Sequence, residues 1–159
     1  MSLFGKKVKT PPKRQRILMN EKTPFAMTEA FKELRTNVMF SLPGTGCKCV
    51  GVTSPTPGDG KSTTAANLAI SLAQIGKRVV LIDCDMRLPT VADTFRIQAI
   101  PGLSDFLVGQ ARFEETVRQV ESYNLTVLPA GNLPPDPTGL LEDKQMERLF
   151  TPSAAFMTM

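Results

Sequence analysis

A glycine-rich loop between an apolar run and a helical run constrains the fold of this chain more than any other feature. Residues 48–54 are short, apolar and β-branched, which is typical of a buried strand. Residues 61–75 place small and aliphatic side chains on one face at helical spacing. The loop between them carries Gly58 and Gly60, directly before Lys61. A strand, a tight loop and a helix in this order predict the first part of a βαβ unit.

Further periodic segments on either side complete the predicted architecture. Gly76 ends the helix, and the apolar residues 79–83 predict a second buried strand, so that the unit implies a parallel sheet with a right-handed crossover. Thr23 is the predicted cap of a helix that begins at Pro24 and continues to residue 41. Residues 125–129 predict a third strand. Weaker patterns predict helices over 103–109, 113–121 and 138–150.

The loop has the residues that bind phosphate in P-loop proteins. Glycines let the backbone approach a phosphate without a Cβ in the way, and the following helix N-terminus carries about half a positive charge. Lys61 is expected to reach the β- and γ-phosphates, and Ser62 to give its hydroxyl to Mg²⁺. Pro55 stands where the strict pattern has its first glycine; the alternative is a glycine-rich turn that caps an ordinary helix. The predicted nucleotide-contacting residues of the loop are Pro57, Gly58, Asp59, Gly60, Lys61, Ser62 and Thr63.

Two carboxylates follow the second predicted strand. Asp83 and Asp85 lie two residues apart at the carboxyl end of a parallel strand, where such sheets bind ligands. Beside a bound Mg·ATP, one could hold the metal and the other could accept a proton from an incoming hydroxyl group. We assign Asp83 and Ser62 to the metal, and Lys61, Asp83 and Asp85 to catalysis. Arg87 is predicted to pair with a carboxylate or a phosphate; a strand-end turn with solvated acids is the alternative.

Positive charge is concentrated at the N-terminus. Residues 1–16 hold six of the 19 basic side chains and none of the 15 acidic ones. We predict a basic flexible tail over residues 1–22, a P-loop domain over residues 23–150 and a tail unlike the domain over residues 151–159. The basic tail could meet anionic lipid or an acidic segment, or it could simply be solvated. No apolar run is long enough for a membrane span, so the sequence predicts a cytoplasmic protein.

The three cysteines predict no metal site. Cys47, Cys49 and Cys84 form an odd set without an export signal, which favours reduced thiols. The chain has no histidine and no second cysteine pair to complete four ligands, so strand-edge packing is the expected role of Cys47 and Cys49. The sequence also predicts no nucleic-acid partner.

In its motifs the chain resembles the bacterial tyrosine kinases (BY-kinases) of capsule and exopolysaccharide synthesis. Residues 52–62 match their Walker A motif, which runs hydrophobic, Thr, Ser, two variable residues, Pro, Gly, acid, Gly, Lys and Ser. Residues 80–87 match their Walker A′ motif, an apolar triplet followed by Asp-x-Asp-x-Arg. Segments 102–107 and 134–141 also match, and the resemblance extends over residues 24–149.

The resemblance implies an α/β fold of the P-loop NTPase type, with a three-layer parallel sheet that is incomplete at its C-terminal side. It implies an autophosphorylating protein-tyrosine kinase that uses ATP and Mg²⁺ and regulates capsular or exopolysaccharide synthesis. It also implies, as in the split form of the family, a separate membrane-embedded activator protein that switches the kinase on. The chain would then be associated with the membrane through that partner.

A ring-forming motif of the family, Glu-x-x-Arg-x-x-Arg, has a counterpart before the loop. Glu29, Lys32 and Arg35 match it, and helical spacing puts all three on one face. By resemblance this face contacts a neighbouring subunit in a homo-oligomeric ring. Lys32 keeps the charge of the first arginine but lacks its planar fork. A solvated charged helix face is the alternative.

Two features of the family do not occur in the sequence. They are the Walker B strand, which ends in Asp-x-x-Pro, and the tyrosine-rich C-terminal tail; the single tyrosine is Tyr123. We therefore hypothesise a C-terminally truncated family member with impaired activity. A partitioning or division-site ATPase switch and a non-catalytic interaction module are the alternatives. Thr56 and Pro57 stand where the partitioning ATPases have a lysine and a glycine, which favours the kinase.

Overall fold

A computed structural model of the chain describes residues 17–150. The predicted tail segments 1–16 and 151–159 lie outside the described residues. In chain order the elements are α1 (Phe25–Ser41), α2 (Lys61–Ala73), β1 (Val80–Ile82), α3 (Val91–Phe95), α4 (Leu103–Leu107), α5 (Phe113–Thr116), β2 (Arg118–Val120), a 3-10 turn (Glu121–Tyr123), β3 (Leu125–Leu128), α6 (Pro137–Leu141) and α7 (Lys144–Phe150). None of the helices in the described range is both long and apolar enough to cross a bilayer.

The sheet has three strands in the order β1-β3-β2, with β3 in the centre. β1 and β3 are parallel, with Leu81 opposite Val127, and this pair agrees with the prediction of a parallel sheet. β2 is antiparallel to β3, so the sheet is mixed and not purely parallel. The predicted helix over 113–121 is therefore wrong after residue 116. Residues 118–120 pair with β3 instead, and this pairing gives backbone groups of the segment hydrogen-bond partners.

Alternating residues of the sheet supply two separate hydrophobic clusters. Leu81, Leu125 and Val127 pack with α2 residues such as Ile70. Leu128 faces the other way and packs with a second cluster that holds Leu103, Leu107 and Leu149. Because successive side chains of a strand point to opposite faces, helices lie on both sides of the sheet, as the three-layer prediction requires.

The segment 48–54 is not a strand in this structure, which corrects the prediction of a buried strand before the loop. The segment carries no ladder hydrogen bonds, and Val50 is 43% exposed. An extended segment becomes a strand only when a neighbour pairs with its N–H and C=O groups. Within residues 17–150, β1, β2 and β3 pair only with one another.

The packed body begins before residue 23, so the predicted flexible tail is wrong for residues 17–20. Met19 is 3% exposed, and its N–H donates to the side-chain oxygen of Asn67 at 2.7 Å. The Asn67 amide nitrogen in turn donates to the carbonyl of Ile17 at 2.8 Å. Asn67 is fully buried on α2, and its side-chain amide bonds one backbone N–H and one backbone carbonyl of this segment.

Two helix ends differ from the prediction. Pro24 is the N-cap of α1, and Thr23 does not cap it; the Thr23 hydroxyl oxygen accepts the Asn20 N–H at 2.8 Å. The predicted helix over 138–150 is two helices, because the side chain of Asp143 accepts the N–H of Gln145 at 2.7 Å and starts a new turn.

Candidate nucleotide site

The loop of residues 55–60, called the phosphate loop below, meets α2 through glycines in left-handed conformations. Gly58 has φ +88° and Gly60 has φ +98°, a region that other residues rarely adopt. The carbonyl of Gly60 accepts the N–H of Thr64 at 2.8 Å, so α2 starts at Lys61. The first N–H groups of a helix have no acceptor inside it. The loop therefore presents backbone donors and the positive end of α2 at one point.

The side chain of Asp59 closes the loop on itself. Its two oxygens accept the hydroxyl of Thr56 at 2.6 Å and the N–H of Thr56 at 3.3 Å. The hydroxyl of Ser54 donates to the carbonyl of Thr56 at 3.0 Å. The prediction placed Asp59 among the nucleotide contacts, and in the structure its carboxylate shapes the loop.

Lys61 and Asp85 form an ion pair, which brings the loop and the second acidic motif together. Nζ of Lys61 lies 2.8 Å from Oδ2 of Asp85, and the side chains are 33% and 24% exposed. Burial raises the pKa of Asp85, but hydrogen bonds from Lys61 and from two backbone N–H groups outweigh burial and hold that pKa below its ordinary value. Asp85 is therefore a carboxylate at neutral pH.

Asp83 is a buried carboxylate that organises the turn after β1. It is 4% exposed, and its Oδ1 accepts the N–H of Asp85 at 3.1 Å. Its Oδ2 accepts the N–H groups of Thr90 and Val91, both at 3.0 Å, at the start of α3. Because β1 ends at Ile82, this network fixes the direction of the chain as it leaves the sheet.

The donor set fits a magnesium ion that is held mainly by phosphate and water. A carboxylate has about four acceptor positions, so Asp83 keeps capacity beyond its three backbone partners. Ser62 stands in the first turn of α2 with a hydroxyl that Mg²⁺ accepts as a ligand. Mg²⁺ typically takes one or two protein ligands in such sites. The described part of the chain has no cluster of three or more His, Cys, Asp or Glu that would hold a metal without the nucleotide.

The side chain of Arg87 contacts α6. Its Nη2 lies 3.5 Å from the hydroxyl of Thr138 on α6, at the exposed surface. The predicted pairing with Asp83 or Asp85 is therefore not formed in this structure. The predicted pairing with a phosphate remains a prediction.

The three predicted ring residues divide into two groups. Lys32 Nζ lies 2.8 Å from Glu29 Oε1, and both side chains are about half exposed. Arg35 instead donates to the carbonyl of Ser71 at 2.9 Å and to its hydroxyl oxygen at 3.2 Å. Arg35 thus joins α1 to α2, and only Glu29 and Lys32 present charge at the surface.

A second buried carboxylate was missed by sequence reasoning. Asp105 is 4% exposed and accepts the N–H of Gly102 at 2.7 Å and the side-chain amide of Asn132 at 2.6 Å. Ser104 donates to the carbonyl of Asn132 at 2.6 Å. This network fixes the loop after β3 to the start of α4. The spacing of Gly102 and Asp105 is a capping pattern that could have indicated it.

The three cysteines are free and exposed, so the predicted strand-edge packing of Cys47 and Cys49 is wrong. Burial of the thiol and the neighbouring Asp83 carboxylate raise the pKa of Cys84 to about 11, although the residue as a whole is exposed. The Cys84 thiol is therefore protonated at neutral pH and a weak nucleophile.

Comparison with known proteins places these motifs in a family. The model for the CobQ/CobB/MinD/ParA nucleotide binding domain matches residues 50–151. Tyrosine-protein kinase YwqD of Bacillus subtilis (strain 168) is 43% identical over 122 residues, which cover 77% of this chain and 52% of YwqD. The crystal structure of the chimerical protein CapA2B2 has a TM-score of 0.73 at 36% identity, over 81% of this chain and 56% of that one. The kinase domain of Escherichia coli tyrosine kinase ETK has a TM-score of 0.74 at 27% identity, over 85% of this chain and 56% of that one.

These similarities confirm the predicted resemblance to bacterial tyrosine kinases and the predicted α/β fold class. The chain spans about half the length of the curated relatives it matches. The matched region contains the phosphate loop, Lys61 and both acids of the second motif. Because that region is more than half of its residues, the chain belongs to the CobQ/CobB/MinD/ParA nucleotide binding domain family.

Proposed function

We propose that this chain binds Mg·ATP on its phosphate loop and forms the nucleotide-binding part of a protein-tyrosine kinase of capsular or exopolysaccharide synthesis. The observation that carries the proposal is the 2.8 Å contact between Lys61 Nζ and Asp85 Oδ2. It brings a phosphate-binding lysine, the N-terminus of α2 and a carboxylate into one small region. Phosphoryl transfer depends on positioning and on charge stabilisation by groups of this kind.

The side chains at the site have separate roles in this proposal. Lys61 and the first N–H groups of α2, at Ser62 and Thr63, bind the phosphates and stabilise the charge on the transferred phosphoryl group. Asp85 accepts the proton of the incoming tyrosine hydroxyl. Ser62 and Asp83 would hold Mg²⁺, which would supply positive charge to the phosphates.

The proposal extends to two partners. One is a membrane-embedded activator protein of the polysaccharide export system, and the other is a second copy of the chain in a homo-oligomer. The exposed pair Glu29 and Lys32 on α1 is the proposed contact between copies. Arg35 takes part only if it leaves Ser71.

Calorimetric titration of the purified chain with MgATP and MgADP tests the nucleotide site. Both nucleotides are expected to bind in a saturable way, and Lys61→Ala should weaken binding at least about tenfold, because it removes the charge that faces the phosphates. Lys77→Ala is the matched control, since Lys77 is exposed and lies after α2. Equal binding by the Lys61→Ala variant would contradict the proposal.

Similarity to YwqD and ETK favours the kinase over the partitioning ATPase, since both of those proteins are named as tyrosine kinases. Thr56 supports the same choice. It stands where the partitioning ATPases have a lysine, and its hydroxyl donates to Asp59.

A tyrosine-rich peptide and labelled ATP test the transfer step. Label on the peptide is expected; label released only to water would support the ATPase switch instead.

A further inference from the structure

We propose that Asp85 is an intramolecular competitor of nucleotide phosphate for Lys61, so that its carboxylate lowers the affinity of the site for nucleotide. The inference rests on the proposed nucleotide binding and adds how the strength of that binding is set. Asp85 would thus weaken nucleotide binding and also serve the transfer step, two effects that experiments can separate.

The competition follows from what Lys61 contacts. Its ammonium group lies 2.8 Å from Asp85 Oδ2, which is a full ion-pair contact. A phosphate on the loop needs the same ammonium group, because Lys61 is the first residue of the helix that follows Gly60. The carboxylate must therefore release or share Lys61 when a phosphate arrives.

Asp85 is held in place for this contact by its neighbours. Its N–H donates to Oδ1 of Asp83 at 3.1 Å, and its own Oδ1 accepts the N–H of Leu88 at 3.1 Å. These bonds leave Oδ2 to face Lys61. A preorganised acceptor loses little conformational entropy when it pairs, so this ion pair is stronger than one between two mobile surface side chains.

The surroundings increase the cost of breaking the pair. The two side chains are 33% and 24% exposed, so solvent screens their attraction less than it does at the open surface. The unsatisfied N–H groups of α2 also attract the Asp85 carboxylate and any incoming anion alike. Removal of the charge at Asp85 should therefore free Lys61 and remove a repulsion for phosphate in one step.

The test measures ADP affinity in the presence of a metal chelator, so that metal binding does not enter. Asp85→Asn keeps the size and an oxygen that can accept the Leu88 N–H, and it is expected to bind ADP about three to ten times more tightly than the unchanged chain. Glu142→Gln makes the same charge change at an exposed residue and should leave the affinity unchanged. In a Lys61→Ala background the gain from Asp85→Asn should be smaller, because only the lost repulsion between the carboxylate and the phosphate then contributes.

The outcomes separate this inference from the proposed function. ADP binding by the unchanged chain with equal or weaker binding by Asp85→Asn would overturn the competition and leave the nucleotide site in place. Absence of metal-free ADP binding in both proteins would overturn the competition, while the titration with MgATP and MgADP decides the nucleotide site separately; binding by Asp85→Asn alone would support the competition. Asp85→Ser is a second variant of the same residue. If circular dichroism shows that Asp85→Asn and Asp85→Ser have both lost folded structure, the inference is overturned, because Asp85 would then be structural.

Discussion

Asp83 and Asp105 are buried carboxylates whose charge is stabilised by N–H donors. Each stands just beyond or beside the end of a strand, and each fixes the chain segment that leaves the sheet. A carboxylate that accepts several N–H bonds replaces the water it loses on burial. These two acids therefore hold the carboxyl edge of the sheet in one shape, next to the Lys61 and Asp85 pair.

Gly131 gives the sharpest test of the Asp105 network. A Cβ at this residue would lie 2.5 Å from Asp105 Oδ2, and its φ is +84°. Gly131→Ala is expected to lower the free energy of unfolding by about 2–4 kcal/mol, from backbone strain and from the displaced carboxylate. Urea unfolding measures the change. Gly51→Ala is the control, because no atom lies within 4 Å of its Cβ position and its φ is not positive; equal effects would contradict the argument.

The residues at the site could be predicted where their signal is local. Lys61, Asp83 and Asp85 follow from short patterns whose members are adjacent in the chain, and the structure brings all three to one edge of the sheet. The bond between Asp105 and Asn132 joins residues 27 positions apart, so no short pattern contains both. The pairing of Arg35 with Ser71 escaped prediction for the same reason.

At the scale of elements, α2 organises the N-terminal half of the molecule. One end carries the phosphate loop, its apolar face packs on the sheet, and its polar residues receive two other segments. Asn67 binds the segment that holds Met19, and Ser71 binds α1 through Arg35. A change on α2 therefore affects segments far away in sequence.

Asn67→Ala tests the attachment of the N-terminal segment. The change removes the bonds to the Met19 N–H and the Ile17 carbonyl from a fully buried site. The free energy of unfolding should fall by about 1–3 kcal/mol, and limited proteolysis should cut earlier within residues 17–22. Asn37→Ala on the exposed face of α1 should change stability by less than about 0.5 kcal/mol. Unchanged proteolysis in Asn67→Ala would contradict the attachment.

Arg35→Ala tests the bond between α1 and α2. The guanidinium group donates to two atoms of the buried Ser71, so its loss should lower the free energy of unfolding by about 1–2 kcal/mol. Lys32→Ala removes only an exposed ion pair with Glu29 and should cost about 0.5 kcal/mol or less. Equal costs in a chemical denaturation series would show that Arg35 is a surface charge.

Element prediction succeeded where a helical period was long or where an apolar run was unbroken. The repeated small side chains of α2 and the apolar run of β1 gave elements close to those observed. The region 113–121 failed because four helical residues are followed directly by a three-residue strand, and neither is long enough to show its period. Pairing with β3 decides the state of that strand, and a single segment does not carry that information.

At the scale of the whole molecule, the sheet is small and one predicted strand lies outside it. The segment 48–54 has strand-forming residues, but strand formation depends on a neighbour and not on propensity alone. This is why a local pattern predicted a strand that the fold of residues 17–150 does not contain. The predicted α/β fold class still holds, because it is defined by β1, β3 and the helices on both faces of the sheet.

Hydrogen exchange tests this description. Amides of residues 50–53 are expected to exchange at least about a hundredfold faster than the Val127 amide, because β3 is paired on both edges and the segment is not paired to the sheet. Mass spectrometry of peptic fragments at neutral pH measures both. Comparable protection of the two segments would mean that residues 48–54 have joined the sheet.

The central position of β3 also has a consequence for the order in which the molecule assembles. β2 and β3 are joined by a 3-10 turn, whereas β1 is separated from β3 by three helices and β2. Closing a short loop loses less entropy than closing a long one. The β2–β3 pair can therefore form early, whereas β1 can pair only once β3 is available. During synthesis β1 leaves the ribosome well before β3, so the phosphate loop and α2 are made before the strand that completes their support.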